Sequence, residues 1–235
     1  MLGTIYNTIV YYPLLNLLVV FYNYIPDVGV VIILVTLLIR LILAPSFHKS
    51  LKSQAVMTAI QPKLNEIREK YKHDQQAQGR AMMELYKEHK INPFSSCLPL
   101  LLQLPILIAL YQVFSKALNN HIEGLYSFVA KPETISPMFL HFLDLSKPSW
   151  VLGVIAGLAQ FWQSRLMMAK NPGSQDTAAK VMSVQTTYIL PVISVVIALK
   201  LPAGLPLYWI VTTLFGIAQQ YWINRQKVAE SVIKS

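Results

Sequence analysis

Hydrophobic residues gather into five long runs along this chain, at roughly 28–45, 98–116, 150–168, 182–200 and 205–223. Each comes to about the 20 mainly apolar residues that a helix needs to cross a bilayer. The fourth and fifth are joined only by "KLPAGLP", a tight Pro/Gly turn that forces them to run antiparallel. Residues 2–22 are apolar too, but Pro13 interrupts them, and Asn7, Asn16 and five Tyr and Phe residues are interspersed. That mixture predicts a helix lying in the headgroup region, with a sixth span as the alternative. No basic residue precedes this stretch, so a signal peptide is not expected.

Between the first and second runs the pattern changes. In residues 50–91, Leu51, Ala55, Ile60, Leu64, Ile67 and Tyr71 recur at near-helical spacing, and after a break at "KHDQQ" a second stripe runs Met82, Leu85, Tyr86, His89. Glu66–Lys70 and Arg80–Glu84 are four-residue pairs that support exposed helix faces. The segment therefore reads as a helical hairpin, in which Pro62 either kinks the first helix or marks its start. Pattern alone leaves two roles open: a solvated connector, or a basic, half-apolar arm that docks on lipid headgroups or a ribonucleoprotein.

Composition agrees with the runs. Of the 235 residues 54% are hydrophobic and 13% charged, and mean hydropathy is +0.45, which excludes an ordinary soluble domain. The net charge of +9 raises the question of nucleic acid, and its distribution answers it. Of the 20 Lys and Arg, 15 lie in residues 46–97, 165–181 and after the fifth run, against four in 116–149 and the last turn. By the positive-inside rule the 46–97 loop and the C-terminus are cytoplasmic and the first residues lie outside. The basic excess thus reports topology, and no sequence-specific nucleic-acid binding is expected. Cys97 is the one cysteine and reads as a small packing residue, while the five histidines are scattered without metal-ligand spacing. No Ser/His/Asp set, Walker loop or GxGxxG is present. A non-enzyme with no cofactor and no metal is the expectation.

The polar residues inside the runs carry more. Arg40 stands in "VGVVIILVTLLIRLILAP", where a charge costs about 2.5–3.5 kcal/mol on insertion scales. Thr36 lies four residues earlier on the same helix face. Other spans show mildly polar stripes: Gln103 and Tyr111; Gly153, Gly157, Gln160 and Ser164; Ser183, Thr187 and Ser194; Tyr208, Thr212, Gly216, Gln219 and Gln220. Such stripes commonly serve as interhelical glue. For Arg40 two readings stand, since all eleven acidic residues lie in loops, at span edges or in the tail. It snorkels to the cytoplasmic headgroups about 8 Å away, or it lines a hollow open to cytoplasmic water that also explains Thr36.

The motif "RLILAP", together with "QPKLNEIREKY", "MMELYKEHKINPFSSCLPLLLQLPILIALYQVF" and "LPAGLPLYWIVTTLFGIAQQ", resembles the YidC family of membrane protein insertases, whose relatives serve mitochondria and chloroplasts. The likeness covers about residues 25 to 225, and "KINPFSSCLPLLLQLPI" is its most specific element. It implies an all-α polytopic membrane protein with five transmembrane helices around a hydrophilic groove that is open to the cytoplasm and lipid. The N-terminal interfacial helix would occupy residues 1–24, the insertase core 25–225 with its cytoplasmic hairpin at 50–91, and a short cytoplasmic tail 226–235. By position Arg40 matches the groove arginine and Thr36 its neighbour. Tyr208 and Trp209 match aromatic positions near the substrate path, and Gln219 and Gln220 a glutamine pair. Gln160 and Gln163 are added from their face of the third span, and Gln103 and Thr212 from the polar stripes.

What the resemblance implies for function is insertion and chaperoning of nascent hydrophobic segments in the bacterial plasma membrane, without nucleotide hydrolysis. Implied partners are nascent membrane proteins, membrane lipids and the ribosome, with the Sec translocon a further candidate. Neither the large extracytoplasmic domain of the Gram-negative long form nor the lipidated cysteine of many Gram-positive members is expected from these residues. Its tail carries only Arg225, Lys227 and Lys234, so the hairpin would supply more of the ribosome contact. One rival is a small transporter or channel with Arg40 in its substrate site, although no internal repeat of the kind common in transporters is visible. Another is an assembly chaperone that binds completed membrane partners.

Overall fold

The structure, a computed structural model, describes residues 2–89, 92, 98–117, 122–168 and 184–225. Cys97, Ser183, His121 and the tail 226–235, all considered above, lie outside the described residues. The chain opens with α1 (Leu2–Tyr6), a π-helical turn (Asn7–Tyr11) and α2 (Tyr12–Tyr24). The long helix α3 (Val28–Ala59) is followed by α4 (Gln61–Lys70), α5 (Gln75–Glu88) and α6 (Leu98–Ala117). After a two-stranded hairpin, β1 (Met138–Phe139) and β2 (Leu143–Asp144), come α7 (Trp150–Met168), a second π turn (Gln185–Ile189), α8 (Leu190–Ala198) and α9 (Gly204–Arg225).

By length and apolarity two described helices are able to cross a membrane, Gly3–Tyr24 and Val28–Ser53, while Gln103–Phe114 and Thr187–Ala198 are shorter apolar helices. The run expected at 28–45 is the first part of a 32-residue helix that carries on through Pro45. Both π turns precede a proline. Tyr12 N–H bonds five residues back to Asn7 O just before Pro13, and Leu190 N–H bonds to Gln185 O just before Pro191. A proline has no N–H to give and crowds the carbonyl four residues back, so a local shift of hydrogen-bond register accommodates it.

The chain divides into two compact units. The first comprises Met1–Ile42, Leu100–Gln160 and Pro191–Phe215, the second Leu43–Pro99, Phe161–Leu190 and Gly216–Ser235. The core of the first joins Leu15, Leu18 and Val19 of α2, Val31, Ile32 and Val35 of α3, Leu110 and Phe114 of α6, and Leu205 of α9. Small residues let its helices close up. A Cβ on Gly153 would lie 3.2 Å from that of Ala198, and one on Gly157 would overlap Val195. Asn16, 3% exposed, owes its place in an apolar helix to the 122–149 segment. Its amide donates to Tyr12 O (2.8 Å) and Gly124 O (3.1 Å) and its oxygen accepts from Tyr126 N–H (2.7 Å). Tyr22 and Asn23 continue the clasp: Tyr22 Oη accepts from Ser136 N–H and Asn23 donates to Ala130 O, both at 2.8 Å.

In the second unit the expected helical hairpin is present. Pro62 occupies the first turn of α4, where a missing N–H is harmless, so it marks a start and not a kink. The break at "KHDQQ" is a turn ended by Asp74, whose Oδ1 accepts from Gln76 N–H (3.1 Å) and Ala77 N–H (2.9 Å) as the N-cap of α5. Val56, Ile60, Leu64 and Leu85 form its small core, flanked by Met57, Ile67, Met82 and Tyr86. Among the described residues this unit holds ten Lys and Arg, whereas the first holds five including Arg40.

Candidate functional site

Three helices of the first unit bring polar side chains together. Spacing of four residues puts Thr36 and Arg40 on one face of α3, and Tyr208 and Thr212 on one face of α9, with Gln103 facing in from α6. Thr36 is 2% exposed and Arg40 9%. Arg40 Nε donates to Thr212 Oγ1 at 3.4 Å and Nη2 donates to Gln103 Oε1 at 3.3 Å. Both bonds are longer than the usual 2.9–3.0 Å for N–H···O. Gln103 Nε2 donates to Tyr208 Oη, which fixes the orientation of the amide so that its oxygen faces the guanidinium.

The hydroxyl of Thr36 donates to Ile32 O, 2.6 Å away in its own helix. Such back-bonding satisfies the hydroxyl locally. The site thus offers a planar guanidinium donor array, set against a hydroxyl and an amide carbonyl. Carbonyl and carboxylate oxygens are the groups that complement such donors.

The remaining expected site residues are placed as follows. Trp209, next to Tyr208, is half-buried. Gln160 is half-buried in the first unit, and its Oε1 is buried without a hydrogen-bond partner among the described residues. Gln163, Gln219 and Gln220 belong to the second unit. There the Gln163 amide lies directly over Gly216, Gln219 Oε1 is buried without a partner among the described residues, and Gln220 is buried. Hydrogen bonds join Arg40 to Thr212 and to Gln103, and Gln103 to Tyr208. Sequence reasoning did not assign the clasp built by Asn16, Tyr22 and Asn23. Its signal was visible, amides inside an apolar run, but they read as marks of the headgroup region. Among the described residues no group of three or more His, Cys, Asp and Glu is placed to hold a metal ion.

Comparison with known proteins places the chain. Residues 20–230 match the family model of the 60Kd inner membrane protein. The membrane protein insertase YidC of Geobacter sulfurreducens is 39% identical over 91% of this chain and 36% of its own length. That of Geotalea uraniireducens is 39% identical over 91% of this chain and 37% of its own, and that of Nitratidesulfovibrio vulgaris 38% over 91% and 38%. This chain spans somewhat over a third of the length of these curated relatives. With nearly all of its residues covered by the match, the chain belongs to the 60Kd inner membrane protein family, the family of the YidC insertases.

Proposed function

We propose that this chain is an insertase core: it receives nascent hydrophobic segments in a hydrophilic groove open to the cytoplasm and releases them sideways into the bilayer. The observation that carries the reading is Arg40, nearly buried within an apolar helix and bonded to Thr212 and Gln103 on two other helices. A charge held there at a cost of several kcal/mol needs a use. Backbone carbonyls and acidic side chains held partway across a membrane have nowhere else to bond, and a guanidinium lowers the cost of holding them. Gln160, Gln163, Gln219 and Gln220 add amides of the same chemistry, and Tyr208 and Trp209 offer aromatic surface to the apolar part of the segment.

No nucleotide drives the step. The apolar segment gains burial as it leaves water for lipid, and the membrane potential contributes about 2.3 kcal/mol per acidic charge per 100 mV. Short, weakly charged flanks are favoured and long charged ones are not. The chain resides in the bacterial plasma membrane with five spans, its first residues outside and the second unit's hairpin in the cytoplasm. The uneven charge of the two units supports that orientation under the positive-inside rule. The α4–α5 hairpin makes the first contact with the ribosome, and lipid and the Sec translocon are neighbours at release.

Solvent access tests the groove. Single cysteines at the half-buried positions 160, 163 and 209 in a Cys97→Ser background are exposed to a membrane-impermeant maleimide in inverted vesicles. Strong labelling at all three is the expected result, and protection at all three sinks the reading. Photocrosslinking from position 212 to a ribosome-bound nascent span then separates an insertase from a chaperone of completed spans.

A further inference from the structure

The small β-hairpin of the first unit is pinned from one side and bare on the other. Leu140 N–H donates to Asp27 Oδ2 at 2.6 Å, while Asp27 Oδ1 accepts from Val30 N–H at 3.0 Å in the first turn of α3. The Phe139 ring lies against Gly29 so closely that a Cβ there would run into it. These contacts fix the hairpin tip beside the first turn of α3, where the long apolar run begins.

The tip itself is costly in conformation. Leu140 and His141 hold φ angles of 49° and 67°, the left-handed region. A leucine seldom adopts it, and an Asn-Gly pair would make the same turn without strain. The apolar side chains are nevertheless presented outward: Leu140 is 51% and Phe142 73% exposed. Tyr24, shortly before Asp27, and Trp150, at the start of α7, are 82% and 69% exposed. Exposed aromatic residues at the ends of membrane helices sit at the boundary between headgroups and acyl chains. Strain kept in place to display apolar groups at that depth points to lipid as their partner.

We propose that the 138–144 hairpin is an interfacial lipid anchor, its Leu140–Phe142 tip inserted among phospholipid headgroups and upper acyl chains beside the start of α3. The anchor sets the depth and rotation of the first unit in the bilayer, and it stands or falls apart from the insertase reading.

For the test, Leu140→Cys and Phe142→Cys, with Lys131→Cys as an exposed control, are made in a Cys97→Ser background and labelled with an environment-sensitive fluorophore. The full chain is reconstituted in phosphatidylcholine/phosphatidylglycerol vesicles, with nitroxide lipids labelled either near the headgroup or near the bilayer centre. Positions 140 and 142 are expected to emit to the blue of 131 and to be quenched more by the shallow nitroxide than by the deep one. Water-like emission at both positions overturns the proposal. So does a blue shift without lipid quenching, which would mean that protein, such as a second copy, covers the tip. His141→Cys leaves both apolar side chains in place and gives the same reading should either replacement disturb the turn.

Discussion

A lysine at position 40 would keep the charge of Arg40 but not its reach. Nε and Nη2 bond to acceptors on two separate helices, Thr212 of α9 and Gln103 of α6, and a single ammonium cannot hold both in that geometry. On the insertase reading proposed above, in which charge counts for more than a fork of donors, Arg40→Lys is expected to retain more insertion activity than Arg40→Ala. The difference is expected to be largest for substrates with acidic flanks, measured by insertion into vesicles. Equal loss in both variants would give the role to geometry and not to charge. Arg40 was legible in the sequence because a charge inside an apolar run has few innocent explanations. The partners it takes were legible only as members of polar stripes, since nothing local says which stripe faces which. Thr36 shows the opposite: its shared face with Arg40 could be read from spacing, whereas its bond to Ile32 O depends on a rotamer that spacing does not specify.

Helices in this chain show the same residue types under different constraints. Pro62 begins a helix, Pro13 and Pro191 follow π turns, and Pro45 and Pro105 lie inside helices that continue. Hydrophobic runs mark where these helices lie, and α3 carries on past Pro45, the last residue of its run. Glycines divide similarly. A Cβ at Gly157 would overlap Val195 and lie 3.3 Å from Pro191 O, so Gly157→Ala is expected to cost about 1–3 kcal/mol by overpacking. Gly79 is exposed in α5 with nothing near, so Gly79→Ala is expected to stabilise by up to about 1 kcal/mol through helix propensity. Thermal unfolding in one detergent compares the two, and the same sign for both would refute the packing account.

The turn after β2 adds a pH dependence. Hydrogen bonds from Ser146, then from Lys147, hold the Asp144 carboxyl below its ordinary value. A depressed carboxyl pKa stabilises the folded turn above the unfolded value, and that contribution disappears as pH falls through the folded one. Protease cleavage near residue 147 should therefore quicken in the acid range below the ordinary aspartate value, and Asp144→Asn should flatten the change.

At the scale of the whole molecule, charge does the sorting. The loops that the positive-inside rule assigns to the cytoplasm contribute to the second unit, and the 122–149 segment and the α8–α9 turn belong to the first. A protease is expected to cut the turn between α4 and α5 in inverted vesicles and to leave it intact in right-side-out ones. The reverse pattern would overturn the orientation. At this level the sequence is read from hydrophobic runs and charge counts, which add up over many residues, so single misreadings matter little. The clasp of the 122–149 segment was not legible for the converse reason: it depends on a few side chains whose partners are far along the chain.

That distance has a consequence for how the protein is made. Asn16 bonds to Gly124 and Tyr126 across 108 and 110 positions of sequence, and Tyr22 to Ser136 across 114. At ordinary synthesis rates the partners leave the ribosome roughly 5–20 s after Asn16 does. Until then α2 carries an amide that its finished fold buries, and contacts so remote close late because chain entropy opposes them. The newborn first unit thus waits, half-built, for its own later residues, and during that interval a membrane chaperone would find in it a client.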